Sequence, residues 1–333
     1  MQSDSIILGI ESSCDDTSAA VLINGKVCSN ITANQDVHRK FGGVVPELAS
    51  RAHQSNIIPV IDQAIKTAGI ENQQISAIAV TQGPGLMGSL IVGLNTAKSL
   101  SLGWNIPLIG VNHLQAHVAA LFIDHKVEFP MLCLLVSGGH TQLIWAESFT
   151  HTEIIGETID DAVGEAFDKA SKLMGLGYPG GPIISKLAST GNAKRFQFND
   201  SQVGPYDFSF SGVKTSLLYF LRDEKAKNSE FIEQNLNDIC ASYEISLIQM
   251  LTKRFNNAIK DKKPKSISIA GGVSANSALR SAVMELSAKY NLPAYIPDFQ
   301  YCTDNAAMIA KAGQFLLEAE KFISYDALPY SRS

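Results

Sequence analysis

The chain has 333 residues, 45% of them hydrophobic and 18% charged, with a formal net charge of −5. That length accommodates two domains with separate cores, and the composition is that of a globular protein rather than a disordered or fibrous one. The acidic balance argues against tight nucleic-acid binding by the chain alone, because phosphate neutralisation by Lys and Arg supplies most of that affinity.

No apolar run approaches the ~20 residues that a membrane-spanning helix needs, so no membrane association is expected. The start, Met1-Gln2-Ser3-Asp4-Ser5, has no basic n-region and runs straight into a strand-like segment, which predicts no secretion signal. Cys14, Cys28, Cys133, Cys240 and Cys302 are odd in number, scattered, and form no Cys-x-x-Cys. They predict a reducing, cytoplasmic setting and argue against a cysteine zinc site. Short basic clusters such as Arg39-Lys40 and Lys262-Lys263-Pro264-Lys265 are a local counterweight to the acidic balance, though such runs are usually solvated surface.

In chain order, Ile6 to Ile10 reads as a buried strand and Thr17 to Ile23 as a second, joined by the polar turn Glu11 to Asp16. Asn24-Gly25 turns tightly into a third strand ending at Ala33. A long helix follows Pro46, then a strand to Val80, the turn Gln82-Gly83-Pro84-Gly85, a helix from about Gly88, and a strand from Leu108 to Val111. The order then restarts. Met131 to Val136 is strand, Ser137-Gly138-Gly139-His140 is turn, and Thr141 to Ala146 is strand. The rest reads as mostly helical until the strand Ser266 to Ala270, which ends in Gly271-Gly272-Val273-Ser274-Ala275-Asn276. A helix, a short strand from Pro293 to Ile296 and a final helix from Asp304 close the chain. Strands alternating with helices predict an α/β protein of two similar lobes with mixed sheets.

Two features carry chemistry. His113 and His117 sit four apart, which on a helix puts both imidazoles on one face, where they can share an ion. A zinc-protease helix has Glu as general base after the first His; here that position is Leu114, which cannot move a proton. A third ligand must come from elsewhere, with Asp304, His140, His53, His38 and Asp160 all open to the role. On spacing alone, Asp304 is most simply the N-cap of the last helix, and Asp160-Asp161 are first-turn acids of the helix that follows. The second feature is a set of small-residue turns after strands, at residues 11–16, 137–140 and 271–276. Such turns point backbone N–H groups at an anion, and the last leads into a helix N-terminus. Gly83 to Ser89 lacks the Lys of a phosphate-binding P-loop.

The motifs Val45 to His53, Gly83 to Ser89, His113 to His117, Val136 to Thr141, Gly164 to Lys169, Gly177 to Pro182, Asp207 to Gly212, Gly271 to Asn276 and Cys302 to Ala310 together resemble one family. It is the bacterial TsaD family (also Gcp or YgjD) of tRNA threonylcarbamoyltransferases, and the match runs from about Ile7 to the last helix. The resemblance implies two actin-like (ASKHA, RNase H-like) lobes with a nucleotide cleft between them, at residues 1–128 and 129–304, with residues 305–333 packing back on the first lobe. It implies transfer of threonylcarbamoyl from threonylcarbamoyl-AMP to N6 of the adenosine at tRNA position 37.

It further implies one divalent metal, Fe(II) ahead of Zn(II), on His113, His117 and Asp304. Substrate and nucleotide contacts fall to Val136, Ser137, Gly138, Gly139, His140, Asp168, Gly181, Gly271, Gly272 and Asn276. Glu11 and Asp15 are the candidates for a general base. The implied partners are tRNA, a TsaB-like paralogue and a TsaE-like ATPase. The rival reading is a metal-dependent, O-sialoglycoprotein-type endopeptidase. Many relatives carry Glu-Gly between the metal histidines where this chain has Gln115-Ala116, and Asp-Glu-Thr where it has Asp15-Asp16-Thr17.

Overall fold

The computed structural model describes residues 5–35, 38, 41 and 43–332. The Arg39-Lys40 cluster lies outside the described residues. The chain divides into two compact units, Met1–Lys126 with Pro297–Ser333, and Val127–Ile296. The chain therefore returns to the first unit at residue 297, so that Asp304 lies in the first unit and not at the end of the second lobe as the sequence suggested.

The first unit holds β1 (Ile6–Glu11), β2 (Thr17–Ile23), β3 (Lys26–Ala33), β4 (Ala77–Gly83) and β5 (Leu108–Asn112) in the order β3-β2-β1-β4-β5. β1, β2 and β3 pair antiparallel, whereas β4 joins β1, and β5 joins β4, in parallel. Its helices are α1 (Pro46–Ala68), α2 (Met87–Trp104), α3 (His113–Ala119), the single turn α4 (Leu121–Asp124) and α10 (Ala306–Glu318).

Every residue of β1 is buried, so its run of apolar residues is a strand covered on both faces rather than an alternating one. Ile6, Leu8 and Ile10 pack into one apolar cluster with Ile57, Val60 and Ile61 of α1 and Leu94 and Ala97 of α2. The other face of β1 meets α10. A Cβ added at Gly9 would strike the Ala306 carbonyl and Ala310, so glycine is what lets α10 lie close on the sheet.

The second unit repeats the plan with β6 (Met131–Val136), β7 (Thr141–Ser148), β8 (His151–Glu157), β9 (Ser266–Ala270) and β10 (Ala294–Tyr295), in the order β10-β9-β6-β7-β8. The mix of pairings is the same: β6–β7–β8 antiparallel, β6–β9–β10 parallel. β8 falls in a stretch that reads as helical in the sequence. It is an edge strand with four exposed residues at its start, so the buried-exposed alternation that marks a strand is absent. The helices are α5 (Val163–Leu173), α6 (Gly180–Ala188), α7 (Ser211–Lys227), α8 (Phe231–Lys262) and α9 (Ser277–Tyr290). Their apolar faces form one core with β6, β7 and β9, centred on Phe167, Phe208, Phe210, Tyr243 and Phe255. The Lys262-Lys263 cluster ends α8, with Lys263 in the left-handed cap position.

Candidate metal centre and nucleotide turns

α3 begins at His113 directly after β5, and Asn112 is its N-cap. The Asn112 Oδ1 accepts from Leu114 N at 2.9 Å and Gln115 N at 3.0 Å, which fixes the first turn that carries His113. One turn on, His117 stacks edge-on against His113 with ring centroids 4.8 Å apart. α10 packs on α3, and Asp304, two residues before its start, reaches the pair. Asp304 Oδ1 lies 3.4 Å from His113 Nε2 and 3.2 Å from His117 Nε2. Asp304 is therefore not the cap of α10; Asn305 takes that role and accepts from Met308 N at 3.1 Å.

The arrangement fits a cation. One ligand atom from each of the three residues falls within 4.8 Å of the others. His117 is 1% exposed, yet neither of its ring nitrogens makes a well-aligned hydrogen bond. A buried imidazole nitrogen left beside a carboxylate oxygen is a costly orphan without a positive ion between them. Two nitrogens and one oxygen suit a borderline divalent metal and leave coordination positions open.

Behind this set lies Glu11, which is fully buried. Its Oε2 accepts from the Thr81 hydroxyl at 2.6 Å and sits 3.2 Å from His113 Nδ1, while Oε1 accepts from Ser13 N. The Ser13 hydroxyl also reaches His113 Nδ1, at 3.2 Å. Burial alone would lower the pKa of His113, but Asp304 and Glu11 outweigh it and hold it well above the ordinary value. Burial likewise raises Asp304, but His113 and then His117 hold it well below the usual carboxylate range.

The other histidines named above are engaged elsewhere. His53 pairs with Thr17 Oγ1 at 2.7 Å and with the Cys14 carbonyl at 3.0 Å, and burial pushes its pKa down. His38 Nε2 lies 2.8 Å from Gln35 Oε1. His140 and Asp160 belong to the second unit.

In the second unit the expected nucleotide residues form one neighbourhood. The turn after β6 closes through Ser137 N to His140 O at 2.8 Å and leaves Gly138 and Gly139 exposed. Glu165 N, at the start of α5, donates to Gly138 O. β9 runs parallel beside β6, and the Gly271 to Asn276 turn, partly a short 3-10 helix, packs against β6 and α5. Asp168 on α5 accepts from Gly180 N at 2.7 Å, so the N-terminus of α6, with Gly181, already faces a carboxylate. Asn276 caps α9 through Leu279 N and donates to Glu244 Oε1 at 2.6 Å. Asp160, read above as a first-turn acid of α5, instead accepts from Phe210 N at 2.7 Å at the start of α7. Asp161 pairs with Lys169 and Lys214.

The family model of TsaD, tRNA N6-adenosine threonylcarbamoyltransferase, matches residues 26–311. The chain belongs to this family. A relative from Porphyromonas gingivalis that carries the same name is 55% identical over 338 residues, covering 100% of this chain and 99% of its own. The family identity makes the chain a transferase that threonylcarbamoylates tRNA, and the endopeptidase alternative is not favoured. Full-length HypF in its phosphate- and nucleotide-bound form superposes with a TM-score of 0.66 at 12% identity, over 97% of this chain and 48% of that one. The Acidaminococcus fermentans (R)-2-hydroxyglutaryl-CoA dehydratase component A gives 0.56 at 15% identity, over 93% and 97%. These likenesses show the actin-like fold of this TsaD-family chain.

Three residues with clear work at these sites escape a reading of the TsaD motifs. Asn112 had a usable signal, since Asn directly before a helical pattern is a preferred N-cap. Glu244 is a carboxylate inside the apolar run of α8, a departure visible in the sequence but without an assignable partner. Tyr330, whose hydroxyl accepts from Asn112 Nδ2 at 3.1 Å, had none.

Proposed function

We propose that the chain transfers the threonylcarbamoyl group of threonylcarbamoyl-AMP to N6 of the adenosine at position 37, beside the anticodon, of tRNAs reading ANN codons, releasing AMP. The observation that carries this reading is the His113–His117–Asp304 set, whose two histidines are buried and whose His117 nitrogens are orphaned. Fe(II) is the first choice of metal and Zn(II) the second. When bound, such an ion orients the donor and polarises its carbonyl as a Lewis acid.

An adenine N6 amine is a poor nucleophile, because its lone pair is spread into the ring. The acyl donor must bring its own activation, which the adenylate leaving group provides. N6 attacks the carbamoyl carbon, the bond from that carbon to the AMP oxygen breaks, and N6 loses a proton. The protein's share is orientation and charge stabilisation. Ser137, Gly138, Gly139 and His140, with Val136 before them, offer a turn for the AMP phosphate, joined by Gly271 and Gly272 from the neighbouring turn. Asp168, Gly181 and Asn276 complete the nucleotide contacts. Glu11 is committed to holding His113, so Asp15, partly exposed on the β1–β2 turn, is the better placed of the two base candidates.

The partners in this reading are tRNA, a TsaB-like paralogue and a TsaE-like ATPase, in the cytoplasm. Ile58 on α1 and Met87 and Ile91 on α2 are exposed apolar residues on two helices that pack together, in keeping with a protein partner. No helix among the described residues is long and apolar enough to cross a membrane.

The test is complementation. Cells carrying only His117→Ala or Asp304→Asn are expected to lose threonylcarbamoyladenosine from their tRNA, measured by mass spectrometry, and the purified variants to lose bound metal. Normal levels of the modified nucleoside in either variant would sink the reading.

A further inference from the structure

We infer that residues 321–330 form a strap that positions the metal-bearing helix, and that Tyr330, acting through Asn112, is its positioning residue. This rests on the reading of His113, His117 and Asp304 as metal ligands.

After α10 the chain packs Ile323 against the first unit's core and runs on past β5. Ile323 N donates to Leu108 O at 3.0 Å, at the start of β5. Lys98 Nζ donates to Ala327 O at 2.6 Å, and the Tyr325 hydroxyl meets Ser101 Oγ at 3.1 Å, both on α2. Gln82 Nε2 donates to Leu328 O at 2.9 Å, and Tyr330 N returns a bond to Gln82 O at 3.2 Å. The strap ends where β5 ends, with Asn112 Nδ2 donating to the Tyr330 hydroxyl.

That last bond has a specific effect. An Asn side chain can cap a helix only with its oxygen toward the free N–H groups; turned over, it would present its own N–H to them. By accepting from Nδ2, Tyr330 holds the amide in the capping orientation, and so holds the first turn of α3 with His113 in it. The strap reaches the same histidine from behind as well. Gly83 has no room for a Cβ because Tyr330 lies against it. The turn that begins there continues to Leu86, whose N–H donates to Ser13 O at 2.7 Å, and the Ser13 hydroxyl meets His113 Nδ1. Apart from Ile323, the strap is fastened largely by polar bonds, with Leu328 76% exposed. Such a segment opens at lower free energy than the core it touches.

The test uses the full, metal-free chain, Co(II) as probe read by its visible absorption, and hydrogen exchange at residues 112–118. Tyr330→Phe keeps the ring and removes the acceptor; its Co(II) dissociation constant is expected to rise about fivefold, the loss of one ordinary hydrogen bond. Exchange at residues 112–118 should quicken in the same variant. Tyr325→Phe removes a strap bond remote from α3 and should change neither reading. Ending the chain at Glu320 should exceed the effect of Tyr330→Phe on both. Wild-type affinity and exchange in Tyr330→Phe would overturn the strap, as would equal losses in Tyr325→Phe. If the wild-type chain binds no Co(II), the metal reading fails, and the exchange comparison alone decides for or against the strap.

Discussion

Glu11 Oε2 lies 3.2 Å from His113 Nδ1, and that contact determines which nitrogen of His113 faces Asp304. With Nδ1 turned to a buried carboxylate, Nε2 is the nitrogen left for an ion. A carboxylate behind a metal-bound histidine fixes the ring and makes it a stronger donor.

Glu11→Gln keeps the volume and removes the charge. Its Co(II) affinity is expected to fall about 10–100-fold, the usual cost of losing such a partner. A titration of the metal-free variant by visible absorption measures this. Unchanged affinity would show that Glu11 serves only the β1–β2 turn.

Gly9 sets the approach of α10 to the sheet, and Asp304 lies two residues before α10 begins. Gly9→Ala should destabilise the chain by about 1–3 kcal/mol, as overpacking of a tight contact does. Because Asp304 moves with α10, bound metal should fall as well. Urea unfolding and metal analysis check the two effects separately.

Asp160→Ala acts in the second unit only. It removes the acceptor for Phe210 N at the start of α7 and should cost about 1 kcal/mol. Co(II) affinity, a property of the first unit, should stay at the wild-type value.

The pH test concerns Asp16. Burial, and then the carboxylates of Asp15, Asp304 and Glu11, push its pKa up from 3.8 to about 7. A group with a raised acid pKa takes up a proton on folding, so it favours the folded state at low pH. The penalty builds as pH rises from 3.8 to about 7 and is level above. In the metal-free protein, the gain in melting temperature from Asp16→Asn should therefore grow from pH 4 to 7 and then stop growing. A constant difference across that range would contradict the raised value.

Much of this was legible in the residues. The run Ile6 to Ile10, the Asn24-Gly25 turn and the restart at Met131 announce two α/β repeats, because strand burial and turn chemistry are local. The His113–His117 pair was legible for the same reason, since a helix fixes the geometry of residues four apart. On spacing Asp304 was one of several candidates, singled out only by the family resemblance, because its place depends on how α10 docks against Gly9, a contact between distant parts of the chain. The same holds for Glu11, which offers the chemistry of a base until burial and Thr81, Ser13 and His113 commit it. β8 was missed because an exposed edge strand leaves no periodic trace.

The split of the first unit between the two ends of the chain sets an order of events during synthesis. His113 and His117 leave the ribosome early, and the whole second unit must follow before Asp304 appears. Until residue 304 has been made, the chain carries only the two histidines of the proposed metal set, so that set is complete only after the whole second unit has been translated. In the proposed reading, three-ligand binding of an ion is thereby postponed until the second unit has been translated.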